Sequence, residues 1–132
     1  MKVLALDYGR ARTGVAVSDP TGMIPRPLGV VADASSRRGL ERIAQLVHTE
    51  GADRVVVGLP LTLSGREGEQ AAETRRFLDA LRDAVDVPVE SFDERFTTQL
   101  AERQPAGDAP PDARAASHLL ASYLEWLSRR PA

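Results

Sequence analysis

Along the first third of the chain, apolar residues come in short unbroken runs. Val3 to Leu6 and Val15 to Val17 are two such runs, separated by a tight, glycine-containing loop. Runs without polar alternation predict short strands covered on both faces. In "SDPTGMIP", Pro20 and Gly22 are spaced for a type I turn, after which "PLGVVAD" returns as a third strand. Pro25 and Pro27 at its start predict an edge position, because proline cannot donate to a strand ladder. Three consecutive strands with short links make an antiparallel meander.

Beyond Asp33 the period changes. Ser35 or Ser36 can cap a helix whose apolar positions Leu40, Ile43, Ala44 and Val47 follow helical spacing, with Gly51 as its stop. "DRVVVGLP" reads as a buried strand. "REGEQAAETRRFLDALRDAV" reads as a helix with Glu67 and Glu69 in an acidic first turn, which suits the helix dipole. "VPVESFD" gives a fifth strand, "TTQLAER" a short helix capped by Thr97, "QPAGDAPPD" a loop, and "ARAASHLLASYLEWLSRR" a final long helix. The order β-β-β-α-β-α-β-α-α predicts an α/β fold in one domain over residues 1–132. Its mixed five-stranded sheet joins the antiparallel meander to βαβ units, with helices on both faces. Ribonuclease H-like folds have this order.

Composition narrows the class without changing the fold. No apolar run approaches the ~20 residues of a membrane span, and "MKVLALDYG" lacks the plan of a signal peptide. With no cysteine there is no disulfide framework, thiolate nucleophile or cysteine zinc site. A cytoplasmic protein without a membrane partner is expected. The net charge of −2 gives no global field that would draw the protein to nucleic acid. Of its 17 basic residues 16 are arginine, whose fork suits bidentate phosphate contact. A GC-rich genome produces the same excess, so only local placement carries a functional argument.

The acids are more informative. Asp7 closes the first strand, and open α/β sheets bind ligands beyond the carboxyl ends of their strands. An aspartate there is more suggestive than one in a surface turn, although strand-end aspartates are common. "FDERFTT" sets Asp93 and Glu94 just past the fifth strand, at another carboxyl end, followed by Arg95 and the hydroxyls of Thr97 and Thr98. On a helical wheel Asp112 falls within the arc formed by Ala115, Ala116, Leu119, Leu120, Tyr123 and Leu124, while Arg114, Ser117 and His118 fall opposite. Helix polarity explains an acid in a first turn after Pro110 and Pro111, but not an inward aim.

Three acids from separate elements could converge at one sheet end. Their repulsion and desolvation would be relieved by a divalent cation, and all-oxygen ligation selects Mg2+ or Mn2+. Two such ions about 3.5–4 Å apart are the usual device for in-line displacement at phosphorus. Other features are weaker. His48 and His118 are isolated and read as solvated. Gly58, Gly65 and Gly68 could let backbone N–H groups approach phosphate at a helix start, or could equally be plain turn glycines.

Four segments, "LDYGRARTGVAVSD", "VVVGLPLTLSGREGEQA", "FDERFTT" and "DARAASHLLASYLE", together resemble the YqgF family, the putative pre-16S ribosomal RNA nucleases or Holliday-junction resolvase-like proteins. The resemblance runs from about Met1 to Trp126. It implies a ribonuclease H-like fold and divalent metal. The family's acidic positions fall on Asp7, Glu94 and Asp112, with Asp93 the near alternative to Glu94. Where the family often has a lysine-arginine pair, this chain has Ala11 and Arg12. Arg12, with Arg10, is expected to hold a nucleic-acid phosphate, and Arg95, Thr97 and Thr98 to extend that contact.

The function expected is a two-metal-ion nuclease that processes the 5′ end of precursor 16S rRNA. Cleavage of branched DNA uses the same chemistry, and needs a two-fold homodimer where RNA end-trimming needs only a monomer. A non-catalytic RNA-binding factor is the alternative of another class, which intact metal-site carboxylates disfavour. A sugar-kinase-like nucleotide binder would need a second such domain.

Overall fold

The computed structural model describes residues 1–61, 68–96 and 108–130, apart from the side chain of Phe96. Its strands are β1 (Val3–Asp7), β2 (Arg12–Ser18), β3 (Pro25–Ala32), β4 (Arg54–Leu59) and β5 (Val89–Asp93). The helices are α1 (Arg37–Glu50), α2 (Glu69–Ala84) and α3 (Pro111–Ser128), and a 3-10 turn, Glu94–Phe96, follows β5. The expected short helix from Thr97, the first part of the loop after it and Glu67 lie outside the described residues.

The five strands form one sheet in the order β3-β2-β1-β4-β5. β1 runs antiparallel to β2 and parallel to β4, and β4 runs parallel to β5. The meander and the βαβ units therefore meet at β1. β3 lies at an edge, as its prolines require, and its pairing with β2 shifts register between Val15 and Ala16. The hairpin before it is held by Asp19, whose carboxylate accepts from the backbone N–H groups of Met23 and Ile24, each at 2.8 Å. The Ile24 bond first, and then one from the Thr21 hydroxyl, hold the Asp19 carboxyl well below the usual carboxylate range.

Strand alternation sends side chains to two separate cores. Leu4, Leu6, Val15, Val55 and Val57 face α1 and α2, where they meet Ile43, Val47, Phe77, Leu78 and Leu81. Val3, Ala5, Ala16, Val56 and Phe92 face α3, beneath Ala116, Leu119, Leu120 and Tyr123. Helices thus cover both faces. α1 begins at Ser36, whose hydroxyl accepts from the Gly39 N–H at 3.0 Å, and ends at Gly51 with φ +65°. A cap of this kind is worth about 1 kcal/mol.

α3 is rotated relative to the wheel expectation. Ala113, Ala116 and Ser117 are buried, whereas Ala115 is exposed and His118 is half-buried. The small side chains of Ala113, Ala116 and Ser117 let the helix lie close across β1, β2 and β3. Deeper along α3, the Tyr123 hydroxyl accepts from Arg54 at 2.9 Å and donates to Glu90, tying α3 to β4 and β5. Among the described residues no helix is long and apolar enough to cross a membrane.

Candidate active site

Alternation along β1 puts Asp7 on the α3 face of the sheet, just past the last residue of its apolar run. It is half-buried. Burial first, and then the negative charge of Asp112, push its carboxyl above the ordinary value of 3.8. Opposite Asp7 on β2 stands Gly14. A Cβ there would lie 1.8 Å from the main-chain oxygen of Asp112 and 3.1 Å from the nitrogen of Ala113. The first turn of α3 therefore rests directly on the backbone of β2, and this contact brings Asp112 to the end of β1.

On the other side of Asp7 lies β4. Leu6 is opposite Val57, so the same register carried one residue further sets Asp7 beside Gly58. A Cβ on Gly58 would stand 2.6 Å from Oε1 and 3.1 Å from Cγ of Glu94. The Glu94 side chain thus lies over Gly58, on the face that carries Asp7. Burial pushes its carboxyl above 4.5, and Asp7 and then Asp93 add to the rise.

Asp93 and Glu94 have separate surroundings. Alternation from Phe92 sends Asp93 to the opposite face of the sheet. There Arg95 donates to it from its backbone N–H at 2.9 Å and from its guanidinium at 2.6–3.0 Å. These bonds hold the Asp93 carboxyl below the usual range.

Arg10 and Arg12 each meet an acid. Arg12 Nη2 lies 2.9 Å from Asp112, with both side chains substantially exposed at 58% and 38%. Arg10 reaches across to α2 and donates to both oxygens of Glu73, at 2.9 and 3.2 Å. Thr97 and Thr98 lie outside the described residues, as does Gly65. Gly58 is a strand residue and not a turn glycine, and Gly68 caps α2. His48 is exposed in the last turn of α1.

Among the described residues, no three His, Asp or Glu side chains converge closely enough to hold one ion. The donor chemistry nevertheless fits a hard divalent cation. Three carboxylates come from three elements, and two of them, Asp7 and Glu94, give up their protons reluctantly because they are buried near like charge. Arg12 supplies the counter-charge that Asp112 has in this state.

Sequence reasoning missed Gly14, the seat that Gly58 offers Glu94, and the Arg10–Glu73 pair. A signal existed for the glycines. Each stands next to a run of valines or other apolar residues inside a strand, and glycine weakens a strand unless backbone or ligand must approach closely. Glu73 had none, because its partner is 63 residues away.

Comparison with known proteins agrees with this architecture. A protein named "Putative pre-16S rRNA nuclease" from Chloroflexus aurantiacus is 44% identical over 137 residues, covering 98% of this chain and 90% of its own. A protein of the same name from Chloroflexus aggregans is 44% identical over 131 residues, covering 93% and 92%. Among solved structures, T. thermophilus RuvC in complex with a Holliday junction substrate superposes with a TM-score of 0.68 at 20% identity. That match covers 97% of this chain and 95% of the other, and shows the fold. A family model described as RuvX, Holliday junction resolvase, matches residues 1–126. The chain belongs to the RuvX family.

Proposed function

We propose that this chain, acting as one domain in the cytoplasm, is a metal-dependent nuclease that trims the 5′ end of precursor 16S rRNA. The observation that carries the reading is the approach of three acids to one end of the sheet. Asp7 is opposite Gly14, on which the backbone of Asp112 rests, and one residue past the Leu6–Val57 pair that leads to Gly58, over which Glu94 lies. Asp7, Glu94 and Asp112 would hold Mg2+ or Mn2+, and the bound metal supplies charge neutralisation and Lewis-acid activation at the phosphodiester. The names of the relatives support an RNA substrate.

The arginines serve the substrate. Arg10 stands in the β1–β2 loop and Arg12 opens β2, where a phosphate can exchange with the carboxylates they now hold. Arg95 sits one residue after Glu94 and, with Thr97 and Thr98, would continue the contact along the nucleic-acid backbone. Asp93 fixes the Arg95 guanidinium, so its role is orientation and not ligation.

A second reading, cleavage of branched DNA, is favoured by the description of the family model. The test gives purified protein labelled precursor rRNA and a four-way DNA junction side by side, in Mg2+, Mn2+ or chelator. Metal-dependent trimming of the RNA alone supports the first reading. Paired symmetric cuts in the junction alone support the second. Cleavage of neither, with binding of RNA retained in chelator, leaves a non-catalytic RNA-binding factor.

A further inference from the structure

Gly58 lies inside β4, the strand between β1 and β5, where the remaining residues from Val55 to Leu59 are buried valines and a leucine. Glycine there leaves the sheet without a packing side chain and costs backbone entropy. The atoms that a side chain would meet are Oε1 of Glu94 at 2.6 Å, Cγ of Glu94 at 3.1 Å and Cδ2 of Leu119 at 3.1 Å. None of them is backbone. Gly14 differs, because the atoms within reach of its missing Cβ are main-chain atoms of Asp112 and Ala113. One glycine is needed for a helix to pack. The other leaves room for a carboxylate.

We propose that Gly58 is a positioning residue for the nuclease reaction, its bare Cα being the seat that holds the Glu94 carboxylate beside Asp7. The proposal rests on the reading of Glu94 as a metal ligand. An added methyl at Gly58 displaces the far end of one flexible side chain and asks Leu119 to give by a few tenths of an ångström, so the fold survives while the carboxylate moves. Shortening the displaced side chain by one methylene returns the lost space. Glu94→Asp should therefore harm the natural protein and help the Gly58→Ala variant.

Four proteins test this: the natural chain, Gly58→Ala, Glu94→Asp and the double variant, each titrated with Mn2+ by calorimetry and melted in chelator. Gly58→Ala should weaken Mn2+ binding by roughly 10–100-fold, the range for altering an outer-shell partner, with a chelator melting midpoint no lower than that of the natural chain. The double variant should bind Mn2+ more tightly than Gly58→Ala, although Glu94→Asp alone binds more weakly than the natural chain. This reversal of sign is a coupling that a merely structural glycine would not give. Unaltered Mn2+ binding by Gly58→Ala, failure of Glu94→Asp to improve it, or collapse of its fold in chelator would each overturn the proposal. No Mn2+ binding by the natural chain would instead overturn the nuclease reading on which it rests.

Discussion

Arg12 Nη2 lies 2.9 Å from the carboxylate of Asp112, joining the start of β2 to the first turn of α3. The residue suited to a phosphate is thus bound to a residue suited to a metal. It cannot serve both partners fully. Nucleic acid that draws Arg12 away frees Asp112, and metal at Asp112 frees Arg12, so the two ligands should bind with positive, reciprocal coupling.

Arg12→Ala should therefore act in two ways. Binding to single-stranded RNA should weaken, with the logarithmic salt slope falling by about 0.7 for the lost phosphate contact. The enhancement of Mn2+ affinity by an uncleavable oligonucleotide should also shrink. Titrations of Mn2+ with and without the oligonucleotide measure the second effect. Equal enhancement in both proteins would dissociate the ion pair from metal binding.

Asp7→Asn should cut cleavage by more than the roughly 10–100-fold that loss of an outer-shell partner costs, because it alters a ligand itself. Its stability in chelator should move the other way. Folding raises the carboxyls of Asp7 and Glu94 above 3.8 and 4.5, so the folded chain holds these protons more tightly than the unfolded chain. The relative advantage is fully present below those ordinary values and is lost as pH rises through the raised folded values. At neutral pH, metal-free Asp7→Asn should then be more stable than the natural chain, and the gain should vanish in acid. Urea melts across pH in chelator check this, and a pH-independent difference would contradict the assigned cause.

Asp93 and Glu94 should separate by substitution. Glu94→Gln should abolish most Mn2+ binding. Asp93→Asn should leave it nearly intact while weakening nucleic-acid binding, because Arg95 loses the carboxylate that orients it. Comparable losses of metal affinity in the two variants would argue against separate roles.

Gly14→Ala should damage folding where Gly58→Ala does not. Its Cβ would meet the Asp112 carbonyl at 1.8 Å, so α3 must lift or β2 must bend. Overpacking of this kind costs roughly 1–3 kcal/mol and occasionally more. Equilibrium denaturation in chelator measures it directly, and natural stability in this variant would mean that α3 is not seated on β2 as described.

Quaternary structure distinguishes the two substrate readings. Two symmetric cuts in a junction require paired active sites related by a two-fold axis. Sedimentation at micromolar protein, with and without a four-way junction, should show a dimer if branched DNA is the substrate. A strict monomer in both conditions, together with RNA trimming, would favour rRNA processing.

Local pattern was enough for the strands and for the long helices. The unbroken apolar runs of β1, β2 and β4 are buried on both faces, the prolines of β3 mark an edge, and Ser36 and Gly51 bound α1, because backbone preference and hydrogen-bond accounting act over a few residues. The acids Asp7, Glu94 and Asp112 were also legible, as carboxylates at element ends. Their convergence at one sheet end was an expectation too, but the contacts each one makes were not legible. The wheel put Ala115 inward and Ser117 outward, whereas packing against the sheet chose the reverse, since helix rotation is set by the surface it meets. That Asp93 turns to Arg95 while Glu94 lies over Gly58, and that Arg12 meets Asp112 and Arg10 meets Glu73, depends on contacts between residues distant in sequence or on opposite faces of a strand. Sequence alone supplied the chemical groups and the elements that carry them. The tertiary structure decided which groups touch, because a close approach such as α3 on Gly14 arises only when two elements pack, and the side chain that is absent there leaves no periodicity to read.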